Sequence, residues 1–321
     1  MGDGIFLVAP AGEPRLDHPV KLAPIHVPEL LRQYGLRPNK RLGQNFLVDE
    51  EALQRVVAVA EVAPGESVLE IGPGLGSLTR YLACTASQVT AVELDALLLP
   101  ALRQVLAPYP NVRVVEGDIL TLDPTALMSV RAGQAGDLTG PVSGGRETVR
   151  MEYVVVANIP YYITSALIRH LLEARIRPRR LVLTVQREVA NRICAQPGKM
   201  SLLALSVQVY GQPRVVAYIP ASSFYPPPKV DSAVVRVDLH SSPLIPSPLI
   251  FLFFRLAKAG FSQKRKTLRN ALSGGLGCPP AQAASLLISV GIDPQRRAET
   301  LSLQEWNLLT EKYPSFLPPH Q

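Results

Sequence analysis

Two clusters of residues in this sequence carry chemistry. The first is the run Asn158-Ile159-Pro160-Tyr161. The exocyclic amine of a base is a poor nucleophile because its lone pair is delocalised into the ring. A side-chain amide oxygen and a backbone carbonyl that accept its two N–H bonds push that pair toward an electrophile. An X-Pro bond fixes where such a carbonyl points. A following aromatic can stack on the base, worth about 1–3 kcal/mol. The plainer reading of the same four residues is a turn with a buried tyrosine. The second cluster is Glu70-Ile71-Gly72-Pro73-Gly74-Leu75-Gly76, with Glu93 17 residues after Gly76 and Glu116-Gly117-Asp118 beyond it. Glycines at a strand–helix turn let the backbone approach a ligand closely. The spacing is GxGxG, not the GxGxxG dinucleotide fingerprint. An acid at Glu93 can accept both hydroxyls of a ribose, and a carboxylate at Asp118 can accept from an adenine amino group. Each acid alone could be a solvated strand end.

The elements that must hold these residues read as alternating strands and helices. Apolar runs at 67–71, 88–94, 112–115, 153–157 and 181–185 are short and nearly continuous, as strands buried on both faces are. Helical patterns at 97–106, 164–174 and 188–195 separate them, and further helical patterns at 27–34 and 49–60 precede them. Glu93, Asp118 and Asn158 then fall at the carboxyl ends of successive strands, the edge where such sheets bind ligands. Runs at 215–219 and 233–239 read as an antiparallel pair. The expected fold class is therefore α/β, a Rossmann-like, mostly parallel sheet with an antiparallel last strand. A small all-helical C-terminal domain follows, with helices over 249–259, 264–272, 281–290 and 303–313. The Pro- and Gly-rich residues 1–26 read as a loosely ordered leader, about 123–150 as a surface insertion, and 241–248 (SSPLIPSP) as a linker.

With 321 residues, 47% apolar and only 18% charged, the chain has the composition of a globular protein of about two domains. No apolar run reaches the roughly 20 residues of a membrane span, and no secretory signal opens the sequence. Cys84, Cys194 and Cys278 are widely spaced, which argues against a disulfide framework or a zinc site and for a reducing, cytoplasmic location. Lys+Arg 33 against Asp+Glu 26 favours an anionic partner. Two basic groups stand out: Lys264, Arg265, Lys266 and Arg269 on an expected helical stretch, and Arg175, Arg177, Arg179 and Arg180 before the fifth strand. Each could be a solvated face; as phosphate contacts they would position a nucleic acid rather than read its sequence.

The glycine loop with its three acids resembles the S-adenosylmethionine site of class I methyltransferases, and Asn158-Ile159-Pro160-Tyr161 resembles the motif of the adenine-N6 methyltransferases of ribosomal RNA. The likeness extends through residues 40–47 (KRLGQNFL), 186–190 (QREVA), 220–235 (PASSFYPPPKVDSAVV) and 260–270 (GFSQKRKTLRN), in order over about 28–312. The chain is most similar to the bacterial small-subunit (16S) adenine dimethyltransferases of the kasugamycin-resistance type. The resemblance implies an enzyme using S-adenosyl-L-methionine and no metal, with 27–240 as catalytic domain and 249–321 as helical RNA-binding domain. It assigns Asn45, Leu47, Gly72, Glu93, Asp118 and Asn158 to the methyl donor. Asn158 and the Pro160 carbonyl would face the target amine, and Tyr161 and Phe224 would sandwich the flipped adenine. The implied substrate is two adjacent adenosines, each doubly methylated, in the 3′-terminal hairpin of small-subunit rRNA. The implied partner is the small ribosomal subunit, met by a monomer and no membrane. Two alternatives stay open: a large-subunit methyltransferase of the macrolide-resistance type, and an RNA-binding or ribosome-assembly factor on the same fold. The leader and the 123–150 insertion lie outside the resemblance.

Overall fold

A computed structural model of the chain describes residues 22–129, 152–160 and 163–316. Most of the leader, most of the insertion and Tyr161 lie outside the described residues. In chain order the elements are α1 (Val27–Gln33), β1 (Phe46–Leu47), α2 (Glu50–Ala60), β2 (Ser67–Ile71), α3 (Ser77–Thr85), β3 (Gln88–Glu93), α4 (Leu99–Leu106) and β4 (Val112–Glu116). Next come α5 (Pro124–Ser129), β5 (Tyr153–Asn158), α6 (Thr164–Leu172), β6 (Arg180–Gln186), α7 (Arg187–Ile193), α8 (Leu202–Gln208), β7 (Gly211–Ile219), β8 (Phe224–Tyr225) and β9 (Ser232–Leu239). Helices α9 (Ile250–Phe261), α10 (Leu268–Leu276), α11 (Pro280–Ile288) and α12 (Leu303–Lys312) close the described chain.

The main sheet has the order β4-β3-β2-β5-β6-β9-β7. The first five strands pair in parallel; β9 pairs antiparallel with both β6 and β7. The chain runs outward from β2 to β4 and then returns to the other side of β2 with β5. That reversal leaves a crevice at the carboxyl ends of β2 and β5, where a doubly wound sheet binds ligands. Because side chains alternate across a strand, Leu69, Val155 and Leu183 face one apolar layer while Val68, Val154, Val156 and Val182 face the other. The first layer continues without a break into the C-terminal helices, through Phe253, Leu256 and the fully buried Trp306. Within 241–248, Ile245 is itself buried in that layer. The second layer is filled from α2 and α3 by Leu53, Val56 and Leu82.

Five elements differ from the sequence expectation. Helix α5 falls within the expected 123–150 surface insertion, yet Leu127 and Met128 are buried in the first apolar layer, so the described start of that segment is part of the core. Helix α8 has no counterpart there, because Leu202–Gln208 is apolar nearly all round and shows no periodicity; the one local signal is Ser201, whose side chain accepts the Ala204 N–H as an N-cap. The two-residue strands β1 and β8 pair antiparallel, Phe46 with Tyr225 and Leu47 with Phe224, and are too short to carry a period. Helix α10 starts at Leu268, after an extended Thr267, not at residue 264. Lys264, Arg265 and Lys266 lie in the turn before it, since three cations in a first helical turn would oppose the helix dipole.

Candidate functional site

The crevice at the carboxyl edge of the sheet is a cleft walled by the glycine loop, the ends of β3 and β5, and the Gly43–Leu47 segment. Asn45, Leu47, Gly72, Glu93, Asp118, Asn158 and Pro160 all line it. At its floor the glycine loop hands β2 to α3 with Gly72, Gly74 and Gly76 all at positive φ. The need is sharpest at Gly74 (φ 59°), where a Cβ would sit 2.9 Å from the Phe46 ring. Phe46 belongs in turn to the apolar cluster of Val27, Leu31, Leu75 and Leu98, so the N-terminal segment is folded over the loop. Gln44 latches it on the other side: Nε2 donates to Asp95 Oδ2 at 2.6 Å, and Oε1 accepts the Asn39 N–H at 2.7 Å.

Glu93 ends β3 almost wholly buried, its Oε2 accepting the Gly74 N–H at 3.0 Å and its Oε1 the Asp95 N–H at 2.9 Å. Burial pushes its carboxyl above the usual range, against the pull of the backbone amides around it. A carboxylate offers about four acceptor sites, so these bonds leave room for ribose hydroxyls. Asp118 spends Oδ1 on the Leu120 N–H at 2.9 Å, and no described residue engages Oδ2. The three acidic or amide ends predicted to lie in register do so: Ile71 pairs with Val92 and with Ala157, and Glu93 with Glu116.

At the end of β5 the Asn158 Nδ2 donates to the Asn45 carbonyl at 3.1 Å. That bond fixes the amide plane, and among the described residues no donor reaches Oδ1. The Pro160 carbonyl accepts the Ile163 N–H at 3.2 Å ahead of α6, which leaves its second lone pair. Asn45 itself is held by Nδ2 donating to the Gly43 carbonyl at 3.0 Å. Phe224 is buried on β8 opposite Leu47 and does not line the cleft; its neighbour Tyr225 is exposed on the same strand. Tyr161 falls outside the described residues.

The basic groups divide. Lys264, Arg265 and Lys266 are exposed in the turn between α9 and α10, with Arg269 in the first turn of α10, its Nε on the Asn270 Oδ1 at 3.1 Å. In the Arg175–Arg180 group, Arg175 is exposed and the other three are engaged within the protein. Arg179 makes a fork-to-fork pair with Glu66, Nε–Oε1 2.6 Å and Nη2–Oε2 2.8 Å. Arg180 is buried against Asp238 at 2.6 Å and the Ala60 carbonyl at 2.8 Å. Arg177 lies over the Tyr210 ring, 5.8 Å from its centroid. All three precede or open β6, at the sheet edge away from the cleft. A run of arginines in sequence cannot reveal partners that are up to 120 residues distant.

Two residues of the site have no role in the sequence reading. Gln44 lies inside the 40–47 motif, which assigns it nothing, and Glu70 reads there only as the start of the glycine turn. Glu70 lines the cleft, is 1% exposed, and carries an Oε2 with no hydrogen-bond partner among the described residues. The signal for it is a charged residue in the middle of an apolar strand.

Comparison with known proteins adds three findings. The sequence profile of the family described as ribosomal RNA adenine dimethylase matches residues 35–314. Proteins named ribosomal RNA small subunit methyltransferase A are similar throughout: one from Dehalococcoides mccartyi (strain CBDB1) is 44% identical over 89% of this chain and 91% of its own length, and one from Moorella thermoacetica is 44% identical over 86% and 93%. Among solved structures, the 23S rRNA methyltransferase ErmE is 28% identical with a TM-score of 0.63, covering 84% of this chain and 99% of that one. A dimethyladenosine transferase from Plasmodium falciparum, 24% identical with a TM-score of 0.65 over 84% of this chain and 98% of its own, shares the fold.

Proposed function

The chain belongs to the ribosomal RNA adenine dimethylase family, and on that premise we propose that it transfers methyl groups from S-adenosylmethionine to N6 of two adjacent adenosines in the 3′-terminal hairpin of small-subunit rRNA, two groups to each. The observation that carries this reading is Asn158, whose amide is pinned by the Asn45 carbonyl at the switch point of the sheet with Oδ1 left to accept.

The residues fit the donor. The remaining acceptor sites of Glu93 suit a ribose diol, Asp118 Oδ2 suits an adenine amino group, and the glycine loop lets the backbone come close. The donor supplies a methyl on a sulfonium, already an activated leaving group, so the reaction calls for no metal. The protein's part is orientation and polarisation. Oδ1 of Asn158 and the carbonyl of Pro160 accept the two N–H bonds of the target amine and turn its lone pair toward the donor side of the cleft. The C–N bond forms as the S–CH₃ bond breaks, sulfur keeps the electron pair, and the proton lost from N6 goes to solvent. Tyr161 and Phe224 hold the flipped base in this reading, which requires Phe224 to turn out of the layer that buries it in the free protein. Flipping costs a few kcal/mol and least in a loop, which suits a hairpin.

The exposed cations of 264–266 and Arg269 take the phosphate contacts, and residues 249–321 serve as the RNA-binding unit beside a catalytic unit of 27–240. The enzyme acts as a cytoplasmic monomer on the small ribosomal subunit. The test is methyl transfer from labelled S-adenosylmethionine to small and large subunits lacking these modifications, with product nucleosides identified by mass. Dimethyladenosine confined to small-subunit rRNA supports the reading. Label in large-subunit rRNA alone moves the chain to the macrolide-resistance branch, and binding without transfer makes it an assembly factor.

A further inference from the structure

Asp95 makes more hydrogen bonds than its place in the fold requires, and the reaction above gives it no part. It follows β3 and caps the single 3₁₀ turn at Ala96–Leu98, its Oδ1 accepting the Leu97 N–H at 3.1 Å. Its own N–H donates to Glu93 Oε1 at 2.9 Å. The cap needs one carboxylate oxygen. The other, Oδ2, accepts from Gln44 Nε2 at 2.6 Å, 51 residues back along the chain. Both ends fix the direction of that bond, since Gln44 Oε1 accepts the Asn39 N–H at 2.7 Å and leaves Nε2 to the carboxylate. The turn that carries Gln44 is otherwise tied to itself. The Gly43 and Gln44 N–H groups donate to the Lys40 and Asn39 carbonyls at 3.2 Å, and Asn45 Nδ2 donates to the Gly43 carbonyl at 3.0 Å. Among the described residues, two hydrogen bonds join this turn to the ends of β3 and β5: Gln44 to Asp95, and Asn158 Nδ2 to the Asn45 carbonyl. The second bond fixes the Asn158 amide, and the first sets where the Asn45 carbonyl stands.

We propose that Asp95 is a positioning residue for methyl transfer, acting through Gln44 to hold the Asn45 carbonyl against the Asn158 amide and so keep Oδ1 of Asn158 aimed at the target amine. The inference rests on the role proposed above for Asn158. The path runs from Asp95 Oδ2 through the Gln44 side chain and backbone to the Asn45 carbonyl, and from there to Asn158 Nδ2. It joins the ends of β3 and β5 over β2, the strand that lies between them. The last torsion of an asparagine is broad and nearly two-fold, so the residue's own backbone does not select which way Oδ1 points. The acceptor offered by Asn45 does. A displacement of about 1 Å at a group that orients the reacting atoms can cost on the order of 10²-fold in rate, even when the cause lies away from the chemistry.

The experiment exchanges donor and acceptor. Gln44→Glu sets two carboxylates against each other; Asp95→Asn, with its oxygen kept by the Leu97 N–H, sets two amide donors against each other. The double variant Gln44→Glu/Asp95→Asn restores the bond with its direction reversed and keeps the contacts to the Asn39 and Leu97 N–H groups. Single-turnover methyl transfer to small subunits lacking the modification is measured on the full chain at saturating S-adenosylmethionine. Donor affinity comes from calorimetric titration. The Asn158 side-chain amide signal is followed in nitrogen-15 spectra, assigned by its loss in Asn158→Ala. Each single variant is expected to transfer about 10–100-fold more slowly, with donor affinity within about fivefold and the Asn158 signal displaced. The double variant is expected to return to within about threefold of wild type and to regain the signal. Single variants at the wild-type rate, or a double variant no faster than the slower single, overturn the role of Asp95 and leave that of Asn158 in place. An Asn158 signal that stays unmoved in the slower variants, or a loss confined to donor affinity, makes the bond a part of donor seating and overturns it likewise. If wild type transfers no methyl to N6, the reading of Asn158 and the role of Asp95 fall together.

Discussion

The two edges of the parallel sheet are built from similar residues to opposite ends. At the amino edge the buried charges have partners. Arg236 pairs with Glu61 at 2.6 Å and Asp238 at 2.9 Å, and Arg180 with Asp238 at 2.6 Å and Glu61 at 3.2 Å. Both guanidinium groups also donate to carbonyls at the end of α2, Val59 at 3.0 Å and Ala60 at 2.8 Å, closing that helix with cations where its dipole favours them. The arginines hold Glu61 below the usual carboxylate range; Glu66 and Asp238 are likewise lowered, their arginine bonds outweighing the burial that opposes them. At the carboxyl edge Glu70 and Glu93 are buried with no ion pair among the described residues, both are raised by burial, and the backbone bends through glycine. One edge is satisfied and locks the sheet; the other is left short of partners, with Glu70 Oε2 buried and unpaired among the described residues. Charge in the sequence is thus no guide to function until its partner is known.

Four tests sharpen this contrast, three substitutions in falling order of effect and then a pH dependence. Arg236→Ala at the locked edge should cost about 3 kcal/mol of stability by removing the bonds to Glu61, Asp238 and the buried Val59 carbonyl, the two acids keeping Arg180, measured by urea unfolding, while donor affinity below the new melting point stays within about twofold. Loss of donor binding with stability intact would abolish the distinction between the edges. Asn158→Ala at the open edge should reverse the pattern: methyl transfer down about 10²–10³-fold or more in single-turnover assays, with RNA affinity and melting temperature nearly unchanged. Retained turnover would remove Asn158 from its role. Gly74→Ala should lower stability by about 1–2 kcal/mol, because φ 59° and the Phe46 ring at 2.9 Å leave no place for Cβ. Donor affinity should fall with it, as seen in the same calorimetric titration.

The most gradual effect is in pH. For Glu61, Glu66 and Asp238 the folded pKa lies below the unfolded one, so their stabilisation is present above about pH 4.5 and is lost as pH falls through the folded values. Glu70 has the opposite sign. The folded form binds its proton more tightly than the unfolded chain, so stability of the free protein should decline as pH rises from 4.5 to about 8 and level off above it. Glu70→Gln should remove that decline and raise the melting temperature at about pH 9 more than at pH 5. A variant that melts below wild type by the same margin at both values would contradict the assignment.

Much of the molecule is legible in the chain alone. Five apolar runs, the first four of them with glycine, acid or Asn-Ile-Pro ends, mark the parallel strands and the edge that carries those residues, because burial on both faces leaves a composition that needs no long-range information. The residues that the resemblance assigns to the donor, Asn45, Leu47, Gly72, Glu93, Asp118 and Asn158, all line one cleft. Local chemistry also fixes the glycine turn, since Gly74 must take a conformation that a side chain resists.

Tertiary structure decides the partners. Arg179 and Arg180 stand beside Arg175 and Arg177 in the sequence, yet their roles are set by Glu66, Glu61 and Asp238, between 58 and 119 residues away. The pairing of β1 with β8, which brings the Gly43–Leu47 segment to the strand holding Phe224, spans 2 residues on each side and leaves no periodic trace. Glu70 is the plainest case: its type is visible in the sequence, but whether its buried oxygen finds a cation depends on the neighbouring strand and helix, and here they supply another carboxylate and a hydroxyl. Sequence determines which groups are present and which local turns they can make. The free energy of a buried charge depends on what the fold sets against it, and that is a property of the assembled sheet.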